Sequence, residues 1–231
     1  MVREGIMVVM GIDIEALRLA ILRNFVDCGE SGCLNELVEE FGTSVAKLQD
    51  ALRQLADEHH IVLDEAGQII MAHPFASIPL GFSVMGQRTL WWGGCAWDSF
   101  ALPHILPEDD EVLVATRCPN CDRVHAWAVN NRKPPDGTEV AHFLTPASHI
   151  WDDVVHSCAN QRIFCSEECV HAWLTTSGQN LGYIMDLATL WRLASRWYEG
   201  RFEYGYLRRD PATAAAYFRE VGLSGPFWST P

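Results

Sequence analysis

Positive charge is scarce in this 231-residue chain, where 17 Lys and Arg face 30 Asp and Glu for a net charge of −13. A surface with that balance repels phosphate, which argues against nucleic acid and against an anionic membrane as partners. Long hydrophobic runs are also missing, and nothing approaches the ~20 apolar residues of a membrane span. The apolar run from Ile6 to Ile12 is short, is flanked by Glu4 and Asp13, and lacks the small-residue cleavage pattern of a secretory leader. Internal repeats and low-complexity segments are absent as well. A hydrophobic fraction of 48% and a charged fraction of 20% are those of an ordinary folded chain. The expectation is a cytoplasmic protein of one large domain or two small ones.

What the chain does have is thiols. Eight cysteines stand at positions 28, 33, 95, 118, 121, 158, 165 and 169. In a reducing compartment such a number points to ligands or nucleophiles before disulfides. Cys28 and Cys33 sit around the first turn and read as buried or incidental thiols. The other six lie between residues 81 and 174.

Apolar spacing sets the expected elements. Ile14, Leu17, Ile21 and Phe25 form a helical stripe, as do Leu34, Leu37, Val38 and Phe41. Thr43 or Ser44 caps a third helix that buries Val45, Leu48, Leu52 and Leu55. IVLDEAGQIIMAHPF reads as a hairpin around Glu65-Ala66-Gly67. Three helices and a hairpin make a winged-helix-like domain over residues 12–80. Its third helix sets Lys47 and Arg53 against Asp50, Asp57 and Glu58, so it offers phosphate no cationic face. It reads as a cap on a second domain, residues 81–231, where short runs such as EVLVATR, VHAWAVN and EVAHFLT predict a mixed sheet. A helix over residues 181–199 and another from Pro211 to Gly222 close an α+β fold.

The chemistry concentrates in WWGGCAWDSFALPHIL. Gly93-Gly94 turn the backbone into a helix that carries Cys95 and Asp98 three apart, on one face. A thiol at a helix N-terminus has its thiolate favoured by the dipole. Asp98 is a proton acceptor for that thiol or a proton carrier to substrate. Trp91, Trp92 and Trp97 predict apolar surroundings that raise the carboxyl pKa. Two further segments follow. ATRCPNCDR offers Cys118 and Cys121 in a C-x-x-C knuckle, and HSCANQRIFCSEECVHAW carries Cys158, Cys165 and Cys169. Cys118, Cys121, Cys165 and Cys169 have the composition of a tetrahedral, structural zinc site. Cys95 and Cys158 are left over, and two spare thiols beside a carboxylate suit a soft, thiophilic metal. His125, His142, His149, His156 and His171 are scattered and are given no ligand role.

GGCAWDSFALPHIL resembles the Cys-Ala-x-Asp active-site segment of the alkylmercury (organomercurial) lyases, the MerB family. HSCANQRIFCSEECVHAW resembles the second cysteine segment of that family. The winged-helix-like cap, its AHPFASIP exit and the closing GLSGPFW are similar to members as well, so the resemblance runs from about Ile14 to Trp228. It implies that Cys95 and Cys158 bind mercury, that Asp98 is the catalytic aspartate and that Cys118 is a structural cysteine. It implies protonolysis of a carbon–mercury bond to a hydrocarbon and Hg(II), in mercury detoxification, with no organic cofactor. The expected partners are an organomercurial substrate and a thiol acceptor, either a low-molecular-weight thiol or a mercuric reductase. Cys121, Cys165 and Cys169 depart from the family pattern and serve either to hold zinc or to intercept mercury. Two other functions fit the same residues: a thiol-rich metal-binding or metal-sensing module, and a homologue with its paired thiols turned to another substrate.

Overall fold

A computed structural model describes residues 11–229, so most of the Ile6–Ile12 run lies outside the described residues. The three expected N-terminal helices form as α1 (Ile14–Cys28), α2 (Leu34–Glu40) and α3 (Val45–Asp57). Asp13 caps α1 by accepting from the Ala16 N–H at 3.0 Å, and Ser44 caps α3 through the Lys47 N–H. Leu48, Leu52 and Leu55 are buried, whereas Val45, at the first turn, is exposed. β1 (Val62–Leu63) and β2 (Ile69–Ala72) make the hairpin, and Asp64 closes its turn by accepting from the Ala66 and Gln68 N–H groups.

The hairpin is also the edge of a larger sheet. β3 (Phe75–Ala76), β4 (Phe82–Met85), β5 (Leu90–Gly93), β6 (Glu111–Arg117) and β7 (Val124–Asn130) extend it in the order β1-β2-β3-β5-β4-β6-β7. α4 (Ala96–Ile105) leaves the end of β5 and packs on this sheet. A second sheet has the order β10-β8-β9, built from β8 (Val140–Phe143), β9 (Gln161–Phe164) and β10 (Tyr183–Asp186).

Every strand pairing among the described residues is antiparallel, which corrects the expected mixed sheet. The physical reason is connection length. Parallel neighbours need a long crossover, whereas β6 and β7 are joined by a six-residue turn and β4 and β5 by a four-residue one. The α+β class holds, with helices on antiparallel sheets.

Between β8 and β9 the chain makes a 3-10 turn (Ala147–Asp152) and the short α5 (Val154–Ala159), whose last turn carries Cys158. α6 (Glu167–Ser177) follows β9. The expected helix over 181–199 is corrected: Tyr183–Asp186 pairs with β8 as a strand, and α7 (Leu187–Ser195) begins only where Asp186 caps the Thr189 N–H at 2.7 Å. α8 (Pro211–Glu220) starts at the predicted proline, behind the Asp210 cap.

One core cluster spans the sheet and runs from Leu17 and Phe25 on α1 to Trp228 near the end of the chain. Arg18, buried on α1, donates to the carbonyls of Arg201 at 2.6 Å and Glu203 at 2.8 Å. The first helix therefore fixes the segment after α7. No described helix is long and apolar enough to cross a membrane.

Candidate active site

Cys95 is the N-cap of α4, so its sulfur lies where the first-turn N–H groups converge; it accepts from the Asp98 N–H at 3.4 Å. Asp98, one turn on, accepts the Cys95 S–H on Oδ2 at 3.1 Å. The approach is close because two glycines precede the helix. A Cβ on Gly94 would clash with Asp98 Oδ2, and one on Gly93 would clash with Ser99 Oγ. Gly93-Gly94 thus does more than turn the chain; it leaves room for the carboxylate.

Cys158 arrives from the other sheet. Its sulfur lies 3.9 Å from the same Oδ2 of Asp98 and 3.5 Å from His73 Nε2. His73 sits between β2 and β3, and its backbone carbonyl accepts from Arg201 Nε at 2.6 Å. The second carboxylate oxygen, Oδ1, accepts a short hydrogen bond from the Tyr198 hydroxyl. His73, Asp98 and Cys158 offer ligand atoms within 4.8 Å of one another. All of these groups are buried, Asp98 with 1% of its surface exposed.

Burial decides the electrostatics. It lifts the Asp98 carboxyl to about 6, against the pull of the Tyr198 and Cys95 hydrogen bonds and the Arg201 charge. It also lifts the Cys95 thiol well above its usual range, assisted by Cys158 and by the charge of Asp98. The helix dipole expected to favour the Cys95 thiolate is therefore outweighed. At Cys158 the hydrogen bond with Cys95 works downward, but burial and the Asp98 charge win and the thiol is raised. Burial, then the charges of Arg201 and Arg208, hold His73 neutral at about 3. Two protonated thiols thus surround a carboxylate that can gain or lose a proton near neutrality.

The site opens into a cavity of about 400 Å³. Of the three tryptophans expected around it, only Trp97 lines it. Trp91 turns to the opposite side of β5, donating to the Phe25 carbonyl at 2.7 Å, and Trp92 is 38% exposed. Strand alternation sends the two to opposite faces, Trp91 into the core against α1 and Trp92 toward solvent. The apolar wall comes from Trp97, Trp197 and Trp151 instead. Trp151 stacks on His59 with ring centroids 4.2 Å apart, and the Arg208 guanidinium lies over the Trp151 ring at 4.5 Å from its centroid.

The other four thiols converge elsewhere. Cys118, Cys121, Cys165 and Cys169 place their sulfurs all within 4.8 Å of one another. Burial raises the Cys118 thiol, yet backbone hydrogen bonds from Cys165, Cys121 and Asn120 bring it down to about 7. His125, given no role by the sequence, lies beside this cluster with Nε2 at 3.3 Å from the Cys165 sulfur.

A deeply buried dithiol whose two sulfurs address one carboxylate, on an antiparallel α+β fold, has the ligand chemistry that suits soft metal species. A family model described as alkylmercury lyase (MerB) matches residues 75–199, more than half of the chain. The chain belongs to the alkylmercury lyase family. Among solved structures, the mercury-bound form of MerB2 is similar in fold, with a TM-score of 0.57 and 20% identity over 78% of this chain and 93% of that one. No curated protein matches the chain.

Proposed function

We propose that the protein cleaves carbon–mercury bonds by protonolysis, with Cys95 and Cys158 as the mercury-binding thiols and Asp98 as the proton carrier. The observation that carries this reading is that both sulfurs address one oxygen of one buried carboxylate. An organomercurial R–Hg–X exchanges X for the Cys95 sulfur and releases HX. Asp98 Oδ2 then takes the Cys158 proton as that sulfur joins the metal. Two thiolates push electron density onto the carbon, and Asp98 delivers the proton to it. R–H leaves and Hg(II) stays on the two sulfurs. One thiol proton ends in HX and the other in R–H, so Asp98 returns to its starting state. Burial of Asp98 and both sulfurs keeps bulk water from competing as the proton source.

His73 and Tyr198 complete the machinery. Neutral His73 faces Cys158 without repelling a cationic metal, and Tyr198 fixes Asp98 so that Oδ2 stays turned to the sulfurs. Release of Hg(II) needs an outside thiol. Arg208 and Arg209 line the cavity, and Arg208 makes no ion pair among the described residues, which favours an anionic low-molecular-weight thiol as acceptor. Free, reduced thiols suit a reducing cytoplasm and a role in mercury detoxification. Residues 12–80 keep the winged-helix-like reading, with 81–231 as the catalytic part. The cap then contributes His73 to the site and, through Arg18, steadies the segment that carries Arg201. Arg53 on α3 is already paired with Asp50, which supports no nucleic-acid role for that helix.

Incubation with an arylmercury salt and excess thiol tests the proposal. Arene should form with the wild type and disappear in Cys95→Ser and Cys158→Ser. Mercury binding without arene in the wild type would favour a metal-binding module instead.

A further inference from the structure

We infer that Cys118, Cys121, Cys165 and Cys169 bind one zinc ion as a closed structural tetrathiolate, separate from the dithiol site, that fastens the β6–β7 turn to the β9–α6 junction. A tetrahedral ion with Zn–S bonds of ~2.3 Å needs sulfurs roughly 3.8 Å apart. The four sulfurs here, all within 4.8 Å of one another, meet that requirement with small side-chain adjustments.

Backbone geometry prepares both halves. In the knuckle, the Cys118 N–H donates to the Arg123 carbonyl at 2.9 Å and the Asp122 N–H returns to the Cys118 carbonyl at 2.9 Å. Asp122 adopts the left-handed conformation (φ 59°), which turns the chain out of the knuckle and back into β7. In the second half, Cys165 directly follows β9 and Cys169 stands in the first turn of α6. None of the four is in a disulfide, and the shortest approach, 3.4 Å between Cys121 and Cys165, is well beyond an S–S bond of ~2.05 Å.

Two further observations point to an ion. His125 Nδ1 is 3.1 Å from Glu139, which sets the ring so that Nε2 meets the Cys165 sulfur, and Asn120 Nδ2 lies 3.6 Å from the Cys169 sulfur. Outer groups that orient and hydrogen-bond ligands in this way are usual at metal–thiolate centres. This corner also has its own small core, in which Cys118, Phe164, Val170 and Leu174 are the buried members. So few apolar side chains give little cohesion, which is the circumstance in which a structural metal replaces burial.

The four-thiol choice favours zinc over hard cations, and four protein ligands leave no open position for substrate. β9 separates the cluster from the Cys158 side by about 13 Å at ~3.3 Å per residue. The ion therefore anchors the far end of the strand that follows Cys158, without sharing a ligand with the dithiol. Mercury turnover is not required for this inference, and a failure of one leaves the other standing.

Metal analysis of protein expressed without mercury and purified without chelator tests it. One zinc per chain is expected. Cys121→Ser should lose it and melt at a lower temperature, while Cys28→Ser and the double variant Cys95→Ser/Cys158→Ser should retain it. Exchange of wild type with Co(II) gives a readout that does not depend on a variant folding: intense visible absorption of tetrahedral cobalt with thiolate charge transfer is expected. Metal-free wild type with unchanged melting in chelator overturns the inference. So does zinc retained in Cys121→Ser, or a cobalt spectrum without thiolate bands.

Discussion

Tyr198 donates its hydroxyl to Oδ1 of Asp98, so that Oδ2 alone faces the two cysteine sulfurs. The two oxygens of one carboxylate thereby differ in surroundings, and in the proposed mechanism Oδ1 is anchored while Oδ2 exchanges protons. Because the Tyr198 bond favours the ionised form, its removal raises the Asp98 pKa above about 6. Asp98 must be ionised to accept a thiol proton. In Tyr198→Phe the acidic limb of the kcat/KM pH profile for arylmercury cleavage therefore moves to higher pH. An unmoved limb would remove Tyr198 from the proton path.

Asp98→Asn separates binding from turnover. The variant should still take up Hg(II) but lose arene formation by about 10²-fold or more, the usual reach of a positioned proton carrier. Normal turnover would show that the proton takes another route.

The same substitution has a signature in stability. Asp98 has a native pKa of about 6 against an ordinary 3.8, so between those values the folded state holds more protons than the unfolded one. Its favourable contribution is complete below the unfolded pKa and is lost as pH rises through 6. Relative to a neutral Asn, the wild type is then less stable at pH 8 by up to about 3 kcal/mol, from ~1.36 kcal/mol per pKa unit. Urea denaturation should show Asp98→Asn more stable at pH 8, with the gap closing toward pH 4. Equal stability at both pH values would mean that burial does not strain the carboxylate.

Buried histidines carry the opposite sign. Burial depresses His73 to about 3, and His60, His104 and His142 to about 4, with nearby charges assisting at all but His104. Below 6.5 the unfolded chain binds protons at these positions that the folded chain does not, so stability present above 6.5 is lost as pH falls toward 4. Asp98 offsets part of that loss, and the decline should be steeper in Asp98→Asn. Unfolding curves taken at half-unit intervals from pH 7 to 4.5 measure both slopes.

Gly94→Ala tests the close approach. The new methyl would clash with Asp98 Oδ2 and lie 2.9 Å from the Met71 methyl, pushing the carboxylate away from the sulfurs. Displacement of a reacting group by about 1 Å costs on the order of 10² in rate. Arylmercury cleavage should fall by that order while the protein still folds, with a stability loss of about 1–3 kcal/mol. Wild-type kinetics in Gly94→Ala would contradict the packing described at the helix start.

The site is only partly legible in the sequence, for physical reasons. Cys95 and Asp98 are one helical turn apart, and local geometry alone unites them. Cys158 joins them through the docking of two sheets, which no spacing encodes; only family resemblance reaches it. His73 and Tyr198 carry no local signal, because a histidine before a proline and a tyrosine after a helix are common. Trp91 and Trp92 mislead because one packs against α1 and the other faces solvent, and Trp151, in a 3-10 turn far along the chain, takes their place. Helices with side-chain caps at Asp13, Ser44 and Asp210 are readable almost to the residue. Tyr183–Asp186 is not, since its strand state depends on the β8 edge it pairs with.

The most direct measurement is cleavage of a phenylmercury salt in D2O with excess thiol, with the arene analysed by mass spectrometry and Hg(II) counted in parallel. Protonolysis through Asp98 and the two thiols predicts singly deuterated benzene, one molecule for each Hg(II) released. Phenylmercury held intact on the protein, with no benzene formed, would contradict it.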